Sequence, residues 1–95
     1  MPKLTDKTVA ARLKKLSGWS RKGDGIQKQF TFAGFPDAIA FVVRLAFAAE
    51  AVDHHPDITV SYRRVMIRYS THSEGGLTDK DFKGATATDV FAAAS

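Results

Sequence analysis

Apolar and polar positions along this 95-residue chain follow two different periods, and each change of period marks a new structural element. In the first segment apolar residues recur at helical spacing, which indicates an amphipathic helix. Thr5 is placed to cap this helix, and Asp6 is favourable in its first turn. The apolar stripe consists of Val9, Leu13 and Leu16. We therefore predict a helix that begins after Thr5 and that Gly18 ends.

A pair of strands is predicted after the first helix. Trp19 opens a short strand, and residues 23–25 have the Gly-Asp-Gly composition of a turn. From Ile26 to Phe32, one set of alternate positions is mainly apolar and the other is polar, which is the period of a half-buried strand. These two segments are therefore expected to pair as an antiparallel hairpin.

The second predicted helix, roughly residues 37–54, is apolar on nearly every side. Its large apolar residues are Ile39, Phe41, Val42, Val43, Leu45, Phe47 and Val52. A surface helix of a small domain normally has one apolar stripe and one polar face. This helix must therefore lie in the centre of the core or bury its second face against another subunit. Pro56 disfavours helical backbone at His55, so the helix is expected to end near His54.

A second hairpin and a third helix complete the predicted order. Strands are expected at residues 58–62 and from Val65 to His72. Thr78 can cap the last helix, with Asp81 as the acid of a capping box, and this helix should run to about Ala93. The order helix-strand-strand-helix-strand-strand-helix predicts an α+β fold, with a four-stranded antiparallel sheet and three helices packed on one face. Residues 1–95 are expected to form a single domain.

Composition and charge exclude several classes of protein. Hydrophobic residues make up 44% of the chain and charged residues 25%, as in an ordinary globular domain, and there is no cysteine for disulfide or thiolate chemistry. The net charge is +4, but the basic residues are dispersed in runs of no more than two, so nucleic-acid binding is not expected. The longest apolar stretch, residues 38–49, is too short to span a bilayer, and no signal-peptide pattern opens the chain. The expected compartment is the cytoplasm.

All three histidines of the chain fall into one constellation. His54 and His55 are adjacent and lie between Asp53 and Pro56. His72 lies at the far end of the predicted second hairpin. Histidine is the side chain that can both donate and accept a proton near neutral pH. This pattern indicates a proton-handling site in which imidazoles converge from a helix end and a strand end.

The carboxylates around the histidines suggest how the rings are oriented. Glu50 and His54 are four residues apart in the predicted helix, so we expect their side chains to pair on one helical face. Pro56 holds His55 in extended backbone, so this side chain should point elsewhere. Asp53 and Asp81 are expected near the same site.

Three other interpretations of these residues remain open. His54 and His55 can be a polar helix end, with His54 as the cap. Three histidines with carboxylates can also bind zinc or iron, although adjacent histidines rarely both face one ion and neither HxxxH nor HxH spacing occurs. The third interpretation is an aromatic ligand-stacking surface, although aromatic residues at strand and helix spacing more often belong to the core. Its candidates are Phe30, Phe32, Phe35, Phe41 and Phe47.

The order of these motifs resembles the pterin-4a-carbinolamine dehydratases, from Gly18 to Asp81. The matching residues are Gly18-Trp19, Phe30 to Phe35, Ala49-Glu50, Asp53-His54-His55-Pro56, Tyr62, Thr71-His72 and Gly76-Leu77-Thr78 with Asp81. His-His-Pro followed by Thr-His at this spacing is a specific signal in so small a protein. The chain departs from many members of that family at Ala51, where they have lysine, and at Asp57-Ile58, where they have tryptophan nearby.

The resemblance implies an enzyme that dehydrates a 4a-hydroxytetrahydropterin to the quinonoid dihydropterin in tetrahydropterin recycling. It implies that His54, His55 and His72 are catalytic. It implies substrate-binding or orienting roles for Glu50, Asp53, Pro56, Thr71 and Asp81. No metal and no cofactor are expected, because the pterin is the substrate and the reaction moves only protons.

The resemblance also bears on partners. We expect a homodimer or homotetramer, and an aromatic amino acid hydroxylase as a protein partner that supplies the substrate. Some members of the family bind transcription factors or assist protein assembly. A non-enzymatic protein-binding module is therefore the alternative function, although such a module has no need of three converging imidazoles.

Overall fold

The computed structural model describes residues 2–94 and confirms the predicted α+β fold and the order of its elements. The helices are α1 (Asp6–Leu13), α2 (Phe35–Val52) and α3 (Asp79–Ala93), with a short 3₁₀ turn at His72–Glu74. The strands are β1 (Ser20–Lys22), β2 (Gly25–Thr31), β3 (Asp57–Ser61) and β4 (Arg64–Tyr69). Among the described residues, the helices lack the combined length and apolarity that crossing a membrane requires.

The four strands form one antiparallel sheet in the order β1-β2-β4-β3. In its centre, Ile26 pairs with Tyr69 and Phe30 with Val65, so the large apolar side chains of β2 and β4 share one face. The helices cover this face, as predicted. The opposite face is polar and includes Arg68, which binds the Asp24 carboxylate at 2.8 Å. This ion pair is the main reason that the pKa of the exposed Asp24 is lowered.

Helix α2 divides its apolar residues between the core and the surface. Its buried positions are Ala38, Phe41, Leu45 and Ala49, which recur at helical spacing against the sheet. Its exposed large apolar positions are Phe35, Ile39, Val43, Phe47 and Val52. Phe47 is 76% exposed within this single chain. The structure thus places one face of α2 in the core and leaves the other free for the subunit contact that the sequence suggests.

Two predicted elements end earlier in the structure than expected, because local turns follow them. Helix α1 ends at Leu13 rather than at Gly18. Two successive tight turns follow, and the carbonyl of Ser17 is bound by Lys28 Nζ at 2.9 Å. Strand β4 ends at Tyr69 rather than at His72. Thr71 instead forms a bridge with Gly76, which turns the chain into the 3₁₀ segment.

The end of α2 also differs from the prediction, and it decides the geometry of the histidines. The helix ends at Val52, and Asp53 takes the left-handed conformation with φ 52°. The backbone N–H of His54 still donates to the carbonyl of Ala49 at 3.2 Å, which closes the helix end. His54 therefore lies outside the helix and does not share a helical face with Glu50. At the other end of the site, the capping box of Thr78 and Asp81 is present as predicted.

Candidate active site

His54 is held at the edge of the core by a buried carboxylate and an aromatic ring. Its Nε2 lies 2.7 Å from Oδ1 of Asp81, and the His54 side chain is 12% exposed while that of Asp81 is fully buried. The imidazole stacks on Tyr69, with ring centroids 5.9 Å apart and an interplanar angle of 19°. The end of α2, the end of β4 and the start of α3 together fix this ring.

Asp81 is itself held by a small hydrogen-bond network at the start of α3. Its Oδ2 accepts the Thr71 hydroxyl at 2.8 Å and the backbone N–H of Thr78 at 2.9 Å. The Thr71 and Thr78 hydroxyls are 2.9 Å apart. Because the Thr71 proton is directed at Asp81, the Thr78 hydroxyl donates to Thr71. A carboxylate that already accepts two donors has an accepting oxygen left for His54, so the Nε2 atom of His54 carries a proton.

His55 is oriented separately, by the residue that was expected to orient His54. Its Nε2 lies 2.7 Å from Oε1 of Glu50, and both side chains are exposed. The predicted pairing of Glu50 with His54 is therefore wrong. The early end of α2 at Val52 turns His54 towards Asp81 and brings His55 beside Glu50 instead.

One cleft brings the three histidines together. We call it the polar cleft; His54, His55 and His72 line it with Asp53 and Thr71. His72 is exposed at the start of the 3₁₀ turn, and Asp53 is exposed at the left-handed end of α2. Thr71 is buried below His72.

Two of the predicted orienting residues stand at the border of the polar cleft. Pro56 and Glu50 do not line it; with His55 they line a neighbouring groove along α2. They therefore reach the polar cleft only through His55.

Several residues of this site were missed at the level of the sequence. Ser70, Ser73 and Lys80 also line the polar cleft, and Tyr69, which lies outside it, stacks against the His54 ring. The alternation of β4 places Tyr69 on the core face, but no local pattern in the sequence indicates that its ring stacks against a histidine. Lys80 could have been predicted from the capping box, because a residue in the first turn of α3 must lie close to Asp81.

The phenol of Tyr69, which stacks against His54, has a raised pKa. Burial raises the pKa of its phenol, the hydrogen bond to Thr88 opposes the rise, and the charge of Asp81 adds to it. The hydroxyl lies 3.0 Å from Oγ1 of Thr88, and Thr88 in turn donates to the carbonyl of Gly84. The Tyr69 side chain is therefore neutral at physiological pH, its hydroxyl is hydrogen-bonded to Thr88, and its ring packs against His54.

The donor geometry does not favour the metal interpretation. Within residues 2–94, no three or more histidine, cysteine or acidic side chains are grouped so as to hold a metal ion. The Nε2 atoms of His54 and His55 already face two different carboxylates. The interpretation of His54 as a simple helix cap also fails, because Asp53 occupies the cap position.

Comparison with known proteins identifies the family of this chain. The family described as pterin 4 alpha carbinolamine dehydratase matches residues 2–91. The chain belongs to that family. Among curated members of this dehydratase family, a protein of Roseiflexus sp. (strain RS-1), provisionally named pterin-4-alpha-carbinolamine dehydratase, is 51% identical over 87 residues. The match covers 92% of this chain and 94% of that relative.

Solved structures agree with the dehydratase-family fold. A transcriptional coactivator/pterin dehydratase from Brucella melitensis superposes with a TM-score of 0.91 at 35% identity, covering 95% of this chain and 98% of its own. A pterin dehydratase-like protein identified as a RuBisCO assembly factor in the alpha-carboxysome gives a TM-score of 0.67. At 24% identity, with 81% and 89% of the two chains covered, it shares the fold alone.

Proposed function

We propose that this chain dehydrates a 4a-hydroxytetrahydropterin of the tetrahydrobiopterin type to the quinonoid dihydropterin and water, in tetrahydropterin recycling. Family membership supports the reaction class, and the polar cleft supplies groups that suit it. The observation that carries the proposal is the convergence of three imidazoles on one cleft, with the ring of His54 fixed by a buried carboxylate.

The reaction needs one proton delivered and one removed. The bond from C4a to the hydroxyl oxygen breaks, and that oxygen takes a proton to leave as water. The N5–H bond gives up its proton, and its electron pair forms the C4a=N5 double bond. No electron leaves the substrate, so positioned acid and base groups with pKa values near neutrality are sufficient. Histidine is the residue that serves both roles at neutral pH.

The hydrogen bonds of the site suggest a division of labour. Because Asp81 binds the Nε2–H of His54, the neutral ring keeps its lone pair on Nδ1. We assign His54 as the base that accepts the N5 proton. His55 and His72 are both exposed, so they exchange protons with water and supply the acid. Glu50, Asp53, Pro56, Thr71 and Asp81 bind substrate or orient these rings.

The decisive experiment is turnover of freshly generated 4a-hydroxytetrahydropterin. We expect the wild-type protein to accelerate dehydration, and the double variant His54→Ala/His55→Ala to fall to the spontaneous background. Each single histidine variant, including His72→Ala, should lose about 10²–10⁴ in rate, the usual contribution of a general acid or base.

A control for this assay lies on the open face of the sheet. Gln29→Ala/Thr31→Ala changes two exposed strand side chains on the face away from the helices and should leave turnover unchanged. Wild-type turnover in the histidine double variant, with a normal circular dichroism spectrum, would rule out this site.

We propose that the reaction uses neither a metal nor a redox cofactor. Only protons move in the chemistry, and the Nε2 atoms of two histidines are committed to carboxylates. Activity should therefore survive exhaustive treatment with a chelator. Elemental analysis that finds about one zinc or iron per chain, lost together with activity, would overturn acid–base catalysis by these residues alone.

The proposed setting is a cytoplasmic homodimer or homotetramer that receives its substrate from an aromatic amino acid hydroxylase. The exposed apolar face of α2 supports self-association. A non-enzymatic protein-binding module is the second candidate, supported by the same face and by the coactivator name of the relative from Brucella melitensis. Absence of any acceleration by correctly folded wild-type protein would favour this second function.

A further inference from the structure

A second cavity lies behind His54, between α2 and α3. We call it the apolar cavity; Leu45, Ala48 and Val52 of α2 face Ala87 and Phe91 of α3 across it. Its volume is about 250 Å³. It shares His54 and Lys80 with the polar cleft, so the imidazole of His54 forms part of the wall between the two spaces.

Small residues on the facing helices create this space. Ala48 and Ala87 leave room where larger side chains would interlock, and Gly84 is kept small by Tyr69. A Cβ atom at Gly84 would lie 2.5 Å from Cε1 of Tyr69, closer than real contacts allow. The Tyr69 ring therefore packs directly onto Gly84, at a position of α3 where no side chain fits. Both residues line the apolar cavity.

The polar atoms of the cavity wall indicate what kind of molecule fits. The Tyr69 hydroxyl is bonded to Thr88, and Nε2 of His54 is bonded to Asp81. If a ligand with several polar edges bound here, its polar groups would stay unpaired against the apolar walls, which is unfavourable. The body of the ligand must therefore be apolar, which excludes a pterin ring.

Two cations at the cavity determine the head group. Lys80 and Lys83 are three residues apart on α3, so they lie on neighbouring positions of one helix face, and both line the cavity. Neither ammonium group makes an ion pair within the part of the chain that the structure describes. Of the two acids in the first turn of α3, Asp81 is buried and bonded to His54, and Asp79 is paired with Arg12. Paired ammonium groups beside an apolar space are complementary to a carboxylate with an apolar body.

We propose that the apolar cavity binds a monocarboxylate of about eight carbon atoms in total, with an apolar body. An engineered apolar cavity of about 150 Å³ holds benzene, so the larger volume here accommodates about ten non-hydrogen atoms. The carboxylate lies at Lys80 and Lys83, and the hydrocarbon lies between α2 and α3 against one side of His54. This site adjoins the polar cleft, with which it shares His54 and Lys80, and its occupancy is measured without any pterin turnover.

Isothermal titration calorimetry with octanoate tests the site, and 1-octanol serves as the uncharged probe. We expect saturable binding of one octanoate per chain and weaker binding of the alcohol. Lys80→Gln/Lys83→Gln should weaken the affinity for octanoate about five- to tenfold, because two partly exposed ion pairs with the ligand are lost. The charge-matched control Lys7→Gln/Lys14→Gln, at exposed positions of α1 and its cap, should bind as the wild type does.

A cavity-filling variant and a histidine signal locate the ligand. Ala48→Leu places a larger side chain in the space and should weaken octanoate by at least about tenfold. In nuclear magnetic resonance spectra, octanoate should shift the ring signals of His54 more than those of His55 or His72. The proposal fails if octanoate does not saturate or if both lysine pairs behave alike. Full binding to folded Ala48→Leu overturns it equally.

Discussion

A hydrogen bond of 2.7 Å joins Nε2 of His54 to the buried carboxylate of Asp81, 27 positions further along the chain. Asp81 also completes the capping box of α3, so one side chain begins a helix and orients an imidazole. The orientation of His54 is thus coupled to the folding of the last helix. A histidine on a flexible chain end would lose this preorganisation.

We expect Asp81→Asn to lower the dehydration rate about 10–100-fold, by analogy with the cost of losing the partner that orients a metal-binding histidine. The asparagine amide can donate its NH₂ group to Nε2 of His54, so the ring proton is no longer held on Nε2 and can move to Nδ1. The steady-state rate and the ¹⁵N shifts of the His54 ring measure the two effects independently.

The matched control for Asp81→Asn is Asp79→Asn. Asp79 lies in the same first turn of α3 and carries the same charge, but its ion pair is with Arg12 rather than with a histidine. It should keep near-wild-type turnover. Unchanged rate and unchanged ring shifts in folded Asp81→Asn would remove the orienting role.

Glu50→Gln should have a much milder effect than Asp81→Asn. The Glu50–His55 pair is largely exposed, and exposed ion pairs contribute about 0–1 kcal/mol. We expect a loss of less than about fivefold in turnover. Part of the difference from wild type should vanish in concentrated salt, which screens exposed charges. A loss as large as that of Asp81→Asn would instead give Glu50 a direct part in proton transfer.

Tyr69 makes the stability of this protein sensitive to alkaline pH. Its folded-state pKa is raised, chiefly by burial, so the folded protein holds the phenolic proton more tightly than the unfolded chain does. The stabilisation is complete below the unfolded pKa, near pH 10, and is lost as the pH rises through the folded pKa. Melting temperatures measured above about pH 9 should therefore fall more steeply for the wild type than for Tyr69→Phe.

The control for this measurement is Tyr62→Phe, because Tyr62 is exposed in the turn between β3 and β4. Its melting temperature should follow the wild-type pH profile. At neutral pH, Tyr69→Phe should lose about 0.5–1.5 kcal/mol, since it removes the hydrogen bond to Thr88. Identical alkaline profiles for Tyr69→Phe and the wild type would contradict the burial effect.

The outer face of α2 should hold the chain in an oligomer. We expect sedimentation equilibrium at micromolar concentration to give a dimer or tetramer of the 10.4 kDa chain. Phe47→Glu places a charge at the most exposed apolar residue of α2 and should shift the equilibrium to the monomer. Val90→Glu, at an exposed apolar position of α3, is the control and should leave the assembly intact. A wild-type protein that sediments as a clean monomer contradicts the prediction.

Local patterns were sufficient for the order of elements and for the expectation that the three histidines lie together, as they do in the polar cleft. The caps at Thr5 and Thr78 depend on side chains within three residues, and strand alternation depends on neighbours two positions apart. The Asp-His-His-Pro and Thr-His motifs also suffice for the family, which the comparisons confirm. Such signals survive in a sequence because their physical cause is contained in a few adjacent residues.

The pairing within the site depended on contacts that the sequence does not contain as a pattern. Helical spacing favoured Glu50 for His54, but the left-handed residue Asp53 ended α2 first, and the buried Asp81 became the partner. Likewise, Gly84 has to be a glycine because the ring of Tyr69 packs onto it from another element, and the space behind His54 lies beside this contact. Which donor meets which acceptor, and where a core leaves space, depends on the packing of distant segments, so only the folded chain decides it.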